Sequence, residues 1–241
     1  MGFAGDDGGD APSDAGVWAI VLAAGLGVRY GALKQYAYAG DHRLIDWSCA
    51  AASAAGARVV LVVRPGQQPT APSSIASAIV PGGRTRRLSV SAGLAAVPAS
   101  ARVIMVHDAA HPNAGTVLFA AVRAALEGDE TAAAAVPAIP VNETLIRAGS
   151  DGTVAGVAER GSLQVQMPHA FRPDALHTVA ASGVDVSDEM SALLRMRLRV
   201  VLVPGDPGNV HVTSPAELAV VNLLLSRREL PVRHGGDSAR A

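Results

Sequence analysis

The sequence predicts a doubly wound α/β fold: a mainly parallel, Rossmann-like sheet covered by helices on both faces, with a projecting β-hairpin arm. Three observations lead there. Short all-apolar runs (VWAIVLAA, RVVLVV, RVIMVH, AAAAVPA and RVVLVP) recur along the 241-residue chain, as strands buried on both faces require. Between them lie the helical patterns LIDWSCAAASAA, VLFAAVRAALE and PAELAVVNLLLSRR, and strands alternating with helices build parallel sheets. From Pro140 to Gln166 the rhythm breaks, because Gly149, Ser150, Asp151 and Gly152 separate two β-prone stretches with no helix between them.

Taken in order, residues 1–16 are Gly, Asp, Ser and Pro with hardly an apolar side chain. They cannot compensate their ordering entropy and are expected as a disordered tail, as are residues 231–241. One domain is expected over 17–230, since a chain that is 49% hydrophobic with net charge −1 can bury one substantial core. The first strand runs into AAGLGVRYGALKQ, residues 23–35. In a sheet of this kind ligands bind beyond the carboxyl ends of the strands, so this glycine turn stands at the expected active edge. It is not a dinucleotide fingerprint, which needs a third glycine where Tyr30 stands, nor a P-loop, which needs Gly-Lys-Ser/Thr. What remains is a turn at Gly25 and Gly27 followed by Arg29 and Lys34, two cations placed to meet a polyanion such as a nucleoside triphosphate. Lys34 is the only lysine among 20 basic residues.

Further along, Cys49 is the only cysteine. That excludes an internal disulfide and a cysteine metal cluster, and within an alanine-rich helix a small buried hydrophobe is expected. His107 is expected as a packed residue at a strand end. The seven histidines show no HExxH or paired spacing. The arm, at about 140–166, has no helix to lie on and needs a partner surface, for which a second subunit is the economical choice. At its tip Arg160 has only Glu159 as a local carboxylate, which points to an anion across an interface.

The near-neutral charge gives no footprint for nucleic acid or an anionic membrane, and the one basic cluster, RTRR at 84–87, is short. No apolar run reaches the roughly 18 residues of a membrane span. The acidic N-terminus lacks a signal pattern, so a cytoplasmic protein is expected.

Five ordered motifs, AAGLGVRYGALKQ, GGRTRRLSVSAGL (82–94), VHDAAHP (106–112), SDEMSAL (187–193) and GNVHVTSPAEL (208–218), resemble the 2-C-methyl-D-erythritol 4-phosphate cytidylyltransferases of isoprenoid synthesis. The resemblance runs from about residue 17 to 229. It implies a homodimer joined through the β-arm that transfers the cytidylyl group of CTP to a sugar-alcohol phosphate with Mg²⁺, releasing pyrophosphate. It also implies roles. Ala23, Ala24, Gly25 and Gly27 surround the triphosphate, Arg29 and Lys34 meet its charge, and Gly82 and Ser89 lie near the cytosine and ribose. Asp108 stands at the metal and acceptor end, Ser187 at the acceptor, and Thr144 and Arg160 on the arm reach into the partner's site.

Several positions depart from the family pattern. The loop between Arg29 and Lys34 is shorter, and Leu33 replaces a proline. His111 replaces an arginine, Met167 and His169 replace the threonine and glutamine of a Thr-Pro-Gln segment, and Glu143 and Ile146 replace an aspartate and a lysine. His211 stands where the family has a second lysine, and an imidazole of ordinary pKa near 6.5 is only partly cationic at neutral pH. The nucleotide half is therefore better kept than the acceptor half. Two alternatives follow: a paralogue acting on another alditol phosphate such as ribitol 5-phosphate, or a CTP-binding protein without turnover.

Overall fold

The computed structural model describes residues 16–27, 30–67, 74–158, 161–183 and 189–232. Arg29, Glu159, Arg160 and Ser187 lie outside the described residues, as do the expected tails apart from Gly16, Pro231 and Val232. In chain order come β1 (Val17–Ala23), β2 (Tyr38–Ala39), β3 (His42–Arg43), α1 (Leu44–Ala54), β4 (Arg58–Val63), β5 (Ala76–Pro81) and α2 (Arg86–Leu94). They are followed by β6 (Val103–Asp108), α3 (Thr116–Glu127), β7 (Ala134–Pro140), β8 (Ile146–Ala148), β9 (Val154–Val157) and β10 (Leu163–Val165). The chain ends with β11 (His169–Phe171), α4 (Pro173–Ala181), α5 (Glu189–Arg195), β12 (Val200–Pro204) and α6 (Pro215–Leu225).

The centre of the sheet is parallel, in the order β5-β4-β1-β6. Beyond β6 the short β11 runs antiparallel, and β7 follows with β12 parallel on its far side. The sheet is doubly wound because its strands bury both faces. Along β1, Val17, Ala19 and Val21 enter one core with α1 and α3, and Trp18 and Ile20 enter the other with α2, α4 and α5. β4 and β6 divide in the same way. A strand that alternates between two cores has no polar face to offer, which is why these runs read as unbroken hydrophobic sequence. Cys49 is fully buried in α1, as expected.

Two helix starts matter for the site. Thr85 caps α2, its Oγ1 accepting the Leu88 N–H at 3.2 Å. Ser214 and Glu217 form a capping box at α6 with Pro215 at its first position. A third cluster of Ala39, Leu44, Trp47, Val212, Val221 and Leu225 then holds α6 and the segment before it against α1. Trp47 Nε1 donates to the Ala39 carbonyl within it at 2.8 Å.

The arm expected over about 140–166 is shorter: the β8–β9 hairpin forms a two-stranded sheet separate from the main one, whereas β10 pairs antiparallel with β7 within the main sheet. Its turn is tied by Asp151, whose Oδ1 accepts from the Thr153 N–H at 3.1 Å and hydroxyl at 2.7 Å. No helix among the described residues is long and apolar enough to cross a membrane.

Candidate active site

The chain winds outward from β1 to β4 and β5, then returns through α2 to place β6 on the other side of β1. That reversal opens a crevice at the carboxyl ends of β1 and β6, where open α/β sheets bind ligands. A cleft of about 900 Å³ lies there. Of the expected nucleotide residues, Ala23, Ala24, Gly25, Gly82 and Ser89 line it, together with Lys34, Asp108 and His211. Thr144 is exposed on the arm.

The glycines have separate duties. Gly25 is exposed and faces the cleft, while Gly27 turns the chain. Its φ is +63°, a Cβ there would run into the Ala32 carbonyl, and its own carbonyl accepts the Tyr30 and Gly31 N–H groups at 2.9 and 2.8 Å. Gly82 lets the exits of β5 and β1 approach, since a Cβ would sit 2.6 Å from the Ala24 Cβ and 2.9 Å from the Ser89 Oγ. Ser89 is buried and braces this turn: its hydroxyl donates to the Thr85 carbonyl at 3.0 Å and accepts the Gly83 N–H at 3.2 Å. Gln35, which sequence reasoning passed over, is buried, and its Nε2 donates to the Gly25 carbonyl at 3.3 Å.

Lys34 begins a 3-10 turn over Lys34–Tyr36 and is half-buried. Its Nζ donates to the Val212 carbonyl at 2.6 Å. The lone lysine thus joins the β1 loop to the segment that carries His211. Arg64 and Arg84 also line the cleft, exposed. Their signal in the sequence was position, directly beyond a parallel strand and inside the Gly82-Gly83 turn. With Arg86, four cations line one crevice, which suits a polyanion.

Arg86 is the main residue that sequence reasoning quoted without giving it a role. Its Nη1 donates to Asp108 Oδ1 at 2.6 Å, and its Nη2 lies 3.1 Å from Glu189 Oε2. Burial alone would lower the Arg86 pKa, but the facing Asp108 and Glu189 carboxylates outweigh it and raise it. Burial would likewise raise the Asp108 carboxyl, yet the Arg86 charge overrides it and holds Asp108 down at about 2. Asp108 is therefore an ionised carboxylate in the lining of the cleft.

The histidines divide into a packed one and a stacked pair. His107 is fully buried beside Phe119, with ring centroids 5.0 Å apart, and burial lowers it to about 3. The packed reading of this residue holds. His111 and His211 lie nearly parallel, with centroids 4.5 Å apart. His169 is buried on β11 and Met167 just before that strand, while Glu143 and Ile146 are exposed on the arm.

A doubly wound sheet with a cation-lined crevice at its switch point defines a nucleotidyltransferase-like α/β protein. Residues 17–227 match the family model for 2-C-methyl-D-erythritol 4-phosphate cytidylyltransferase (IspD), and the chain belongs to that family. It is 39% identical to the enzyme of that name from Xanthomonas euvesicatoria pv. vesicatoria strain 85-10, over 90% of this chain and 88% of that one. The Xanthomonas campestris pv. campestris strain B100 relative, of the same name, is 38% identical over 93% of this chain and 89% of its own. The crystal structure of 2-C-methyl-D-erythritol 4-phosphate cytidylyltransferase from Thermus thermophilus superposes with a TM-score of 0.73 at 28% identity, covering 86% of this chain and 98% of that one.

Proposed function

We propose that this protein transfers the cytidylyl group of CTP to 2-C-methyl-D-erythritol 4-phosphate, releasing pyrophosphate, in the non-mevalonate route to isoprenoid precursors. The observation that carries the reading is a crevice at the sheet's switch point whose lining brings together the cations Lys34, Arg64 and Arg84, the ionised Asp108 and His211. The reaction is in-line attack of an acceptor phosphate oxygen on the α-phosphorus of CTP. No covalent enzyme intermediate is needed, so the chain's work is positioning and charge stabilisation. Arg29 and Lys34 hold the triphosphate, the Gly25–Gly27 turn cradles it, and the turn braced by Ser89 meets the base and ribose. Asp108 and Ser187 orient the acceptor, with His211 and the partner's Thr144 and Arg160 on its phosphate.

Mg²⁺ fits this site as a guest held mainly by substrate. Among the described residues no cluster of three His, Cys, Asp or Glu side chains forms a protein cage. Asp108 offers one hard anionic oxygen donor, and one carboxylate plus substrate phosphates is how Mg²⁺ is commonly bound. When bound, the ion would neutralise charge on the phosphate oxygens.

A pyrophosphate-release assay with CTP and a panel of polyol phosphates tests the reading. Turnover with 2-C-methyl-D-erythritol 4-phosphate and CTP, at least tenfold above UTP or ATP, is expected. Turnover only with ribitol 5-phosphate would move the protein to a paralogous activity, and CTP binding without turnover on any acceptor would leave a binding protein.

The exposed hairpin supports a homodimer with shared sites. Ile146, Val154 and Val157 are 55%, 61% and 63% exposed on a hairpin whose backbone bonds run between its own strands. Mixing Arg160→Ala with Lys34→Ala protein should restore activity, because a heterodimer regains one intact composite site. Activity no higher than the sum of the two variants, after verified subunit exchange, would count against sharing.

A further inference from the structure

Three of the positions that depart from the family pattern are histidines, and two of them touch. His111 and His211 stack with ring centroids 4.5 Å apart and planes 17° apart, joining the loop after β6 to the loop after β12. His111 is only 6% exposed, whereas His211 lines the cleft. The lower ring is held firmly. Asn209 Nδ2 donates to the Met167 carbonyl at 2.7 Å, which turns its Oδ1 toward His111 Nδ1, 3.3 Å away. The Asn209 oxygen is then an acceptor, so His111 carries its proton on Nδ1.

The backbone around the pair is fixed from several directions. Val212 N–H donates to the Ala110 carbonyl at 2.8 Å, and His111 N–H to the Asp108 carbonyl at 2.9 Å. Gln166 brackets Asp206 from both sides, with its Nε2 on the Asp206 carbonyl at 2.8 Å and its Oε1 accepting the Asp206 N–H at 2.9 Å. Asn113 Nδ2 holds the Gly208 carbonyl at 2.7 Å.

We propose that His111 is a positioning residue that holds the His211 ring at the acceptor end of the cleft by stacking beneath it. An imidazole is shorter than a lysine or arginine side chain and cannot search for its anion. It must be presented in place, and a flat buried ring locked by Asn209 does that. The proposal rests on the reading that His211 meets the acceptor phosphate.

Two substitutions separate the ring of His111 from its hydrogen bond. His111→Gln keeps a donor for Asn209 and loses the ring, whereas His111→Phe keeps the ring and loses the donor. With the full chain, the KM values for 2-C-methyl-D-erythritol 4-phosphate and for CTP are measured for both, for His211→Ala and for His111→Gln/His211→Ala. Melting curves serve as the folding control. We expect His211→Ala to raise the acceptor KM about tenfold, the scale of one charge-assisted hydrogen bond, with the CTP KM unmoved. His111→Gln should do most of the same, His111→Phe should recover most of the loss, and the double variant should be no worse than His211→Ala. Additive effects in the double variant, or Gln outperforming Phe, would overturn the stack. If His211→Ala leaves the acceptor KM unchanged, the phosphate-binding reading of His211 falls instead. A readout that needs no turnover is the His211 ring ¹H–¹³C signal, assigned by its loss in His211→Ala. It should move in His111→Gln, and a signal left at its wild-type position overturns the stack whatever the kinetics show.

Discussion

Lys34→Arg should lower turnover by roughly 10²-fold, the scale of losing one preorganised electrostatic group and about 3 kcal/mol of transition-state stabilisation. If positive charge alone were wanted, arginine would serve, and the chain uses it at 19 of its 20 basic positions. The structure gives the reason for the exception. Lys34 Nζ reaches the Val212 carbonyl at 2.6 Å, one residue beyond His211, and the same side chain lines the cleft. An ammonium can donate to that carbonyl and to a phosphate in different directions from one point. A planar guanidinium is longer and presents its donors in a fixed fork, so satisfying Val212 aims it away from the cleft or displaces the segment carrying His211. Because the side chain is half-buried, the substitution should also cost stability, at about 1 kcal/mol for the disturbed hydrogen bond. Steady-state pyrophosphate release and a melting curve on the purified variant separate the two effects. Wild-type turnover in Lys34→Arg would show that any cation suffices there.

How much of this was legible in the sequence depended on whether a signal was local. β1, β4 and β6 are buried on both faces, so composition alone marks them as parallel strands of a doubly wound sheet. β5 escaped notice because its residues are only partly buried at the sheet edge, leaving ASAIVP without an apolar run. β11 escaped because three residues, His169–Phe171, pair antiparallel with β6 and β7 on contacts distant in sequence. The position of the glycine turn and Lys34 at the cleft was readable because a tight glycine turn directly beyond the first parallel strand falls at the carboxyl edge of the sheet. Ser89 was found, but what it braces was not, since its partners depend on the cap of α2. Arg86 stood in the quoted motif, yet its function is set by Asp108 and Glu189, which lie 22 and 103 residues away. Nothing local marks an arginine as the shared partner of two carboxylates.

That shared partnership makes Arg86→Met the substitution with the largest expected effect on the fold. The Glu189 side chain is 5% exposed and that of Asp108 20%, and both face the same guanidinium. Removing one partner of a buried charge pair costs about 3 to 5 kcal/mol, because the remaining charges are left uncompensated. The sign of the pH dependence should reverse as well. In the wild type, Asp108 is held at about 2, below the roughly 3.9 of an unfolded aspartate, so its contribution is present above pH about 4 and is lost as pH falls through 2. Without Arg86, burial pushes the native Asp108 carboxyl above its unfolded value. The native state then binds more protons than the unfolded chain, so stability falls as pH rises. Urea unfolding at pH 5 and pH 8 should find Arg86→Met more stable at the lower pH, and Glu189→Gln added to it should recover part of the loss at pH 8. Arg86→Lys, which keeps the charge but cannot bridge both carboxylates as a fork, should lie between the two. Turnover should fall in both variants, since Asp108 loses the group that fixes its orientation in the cleft. Equal stability of Arg86→Met at the two pH values would mean that solvent, rather than Arg86, compensates the two carboxylates.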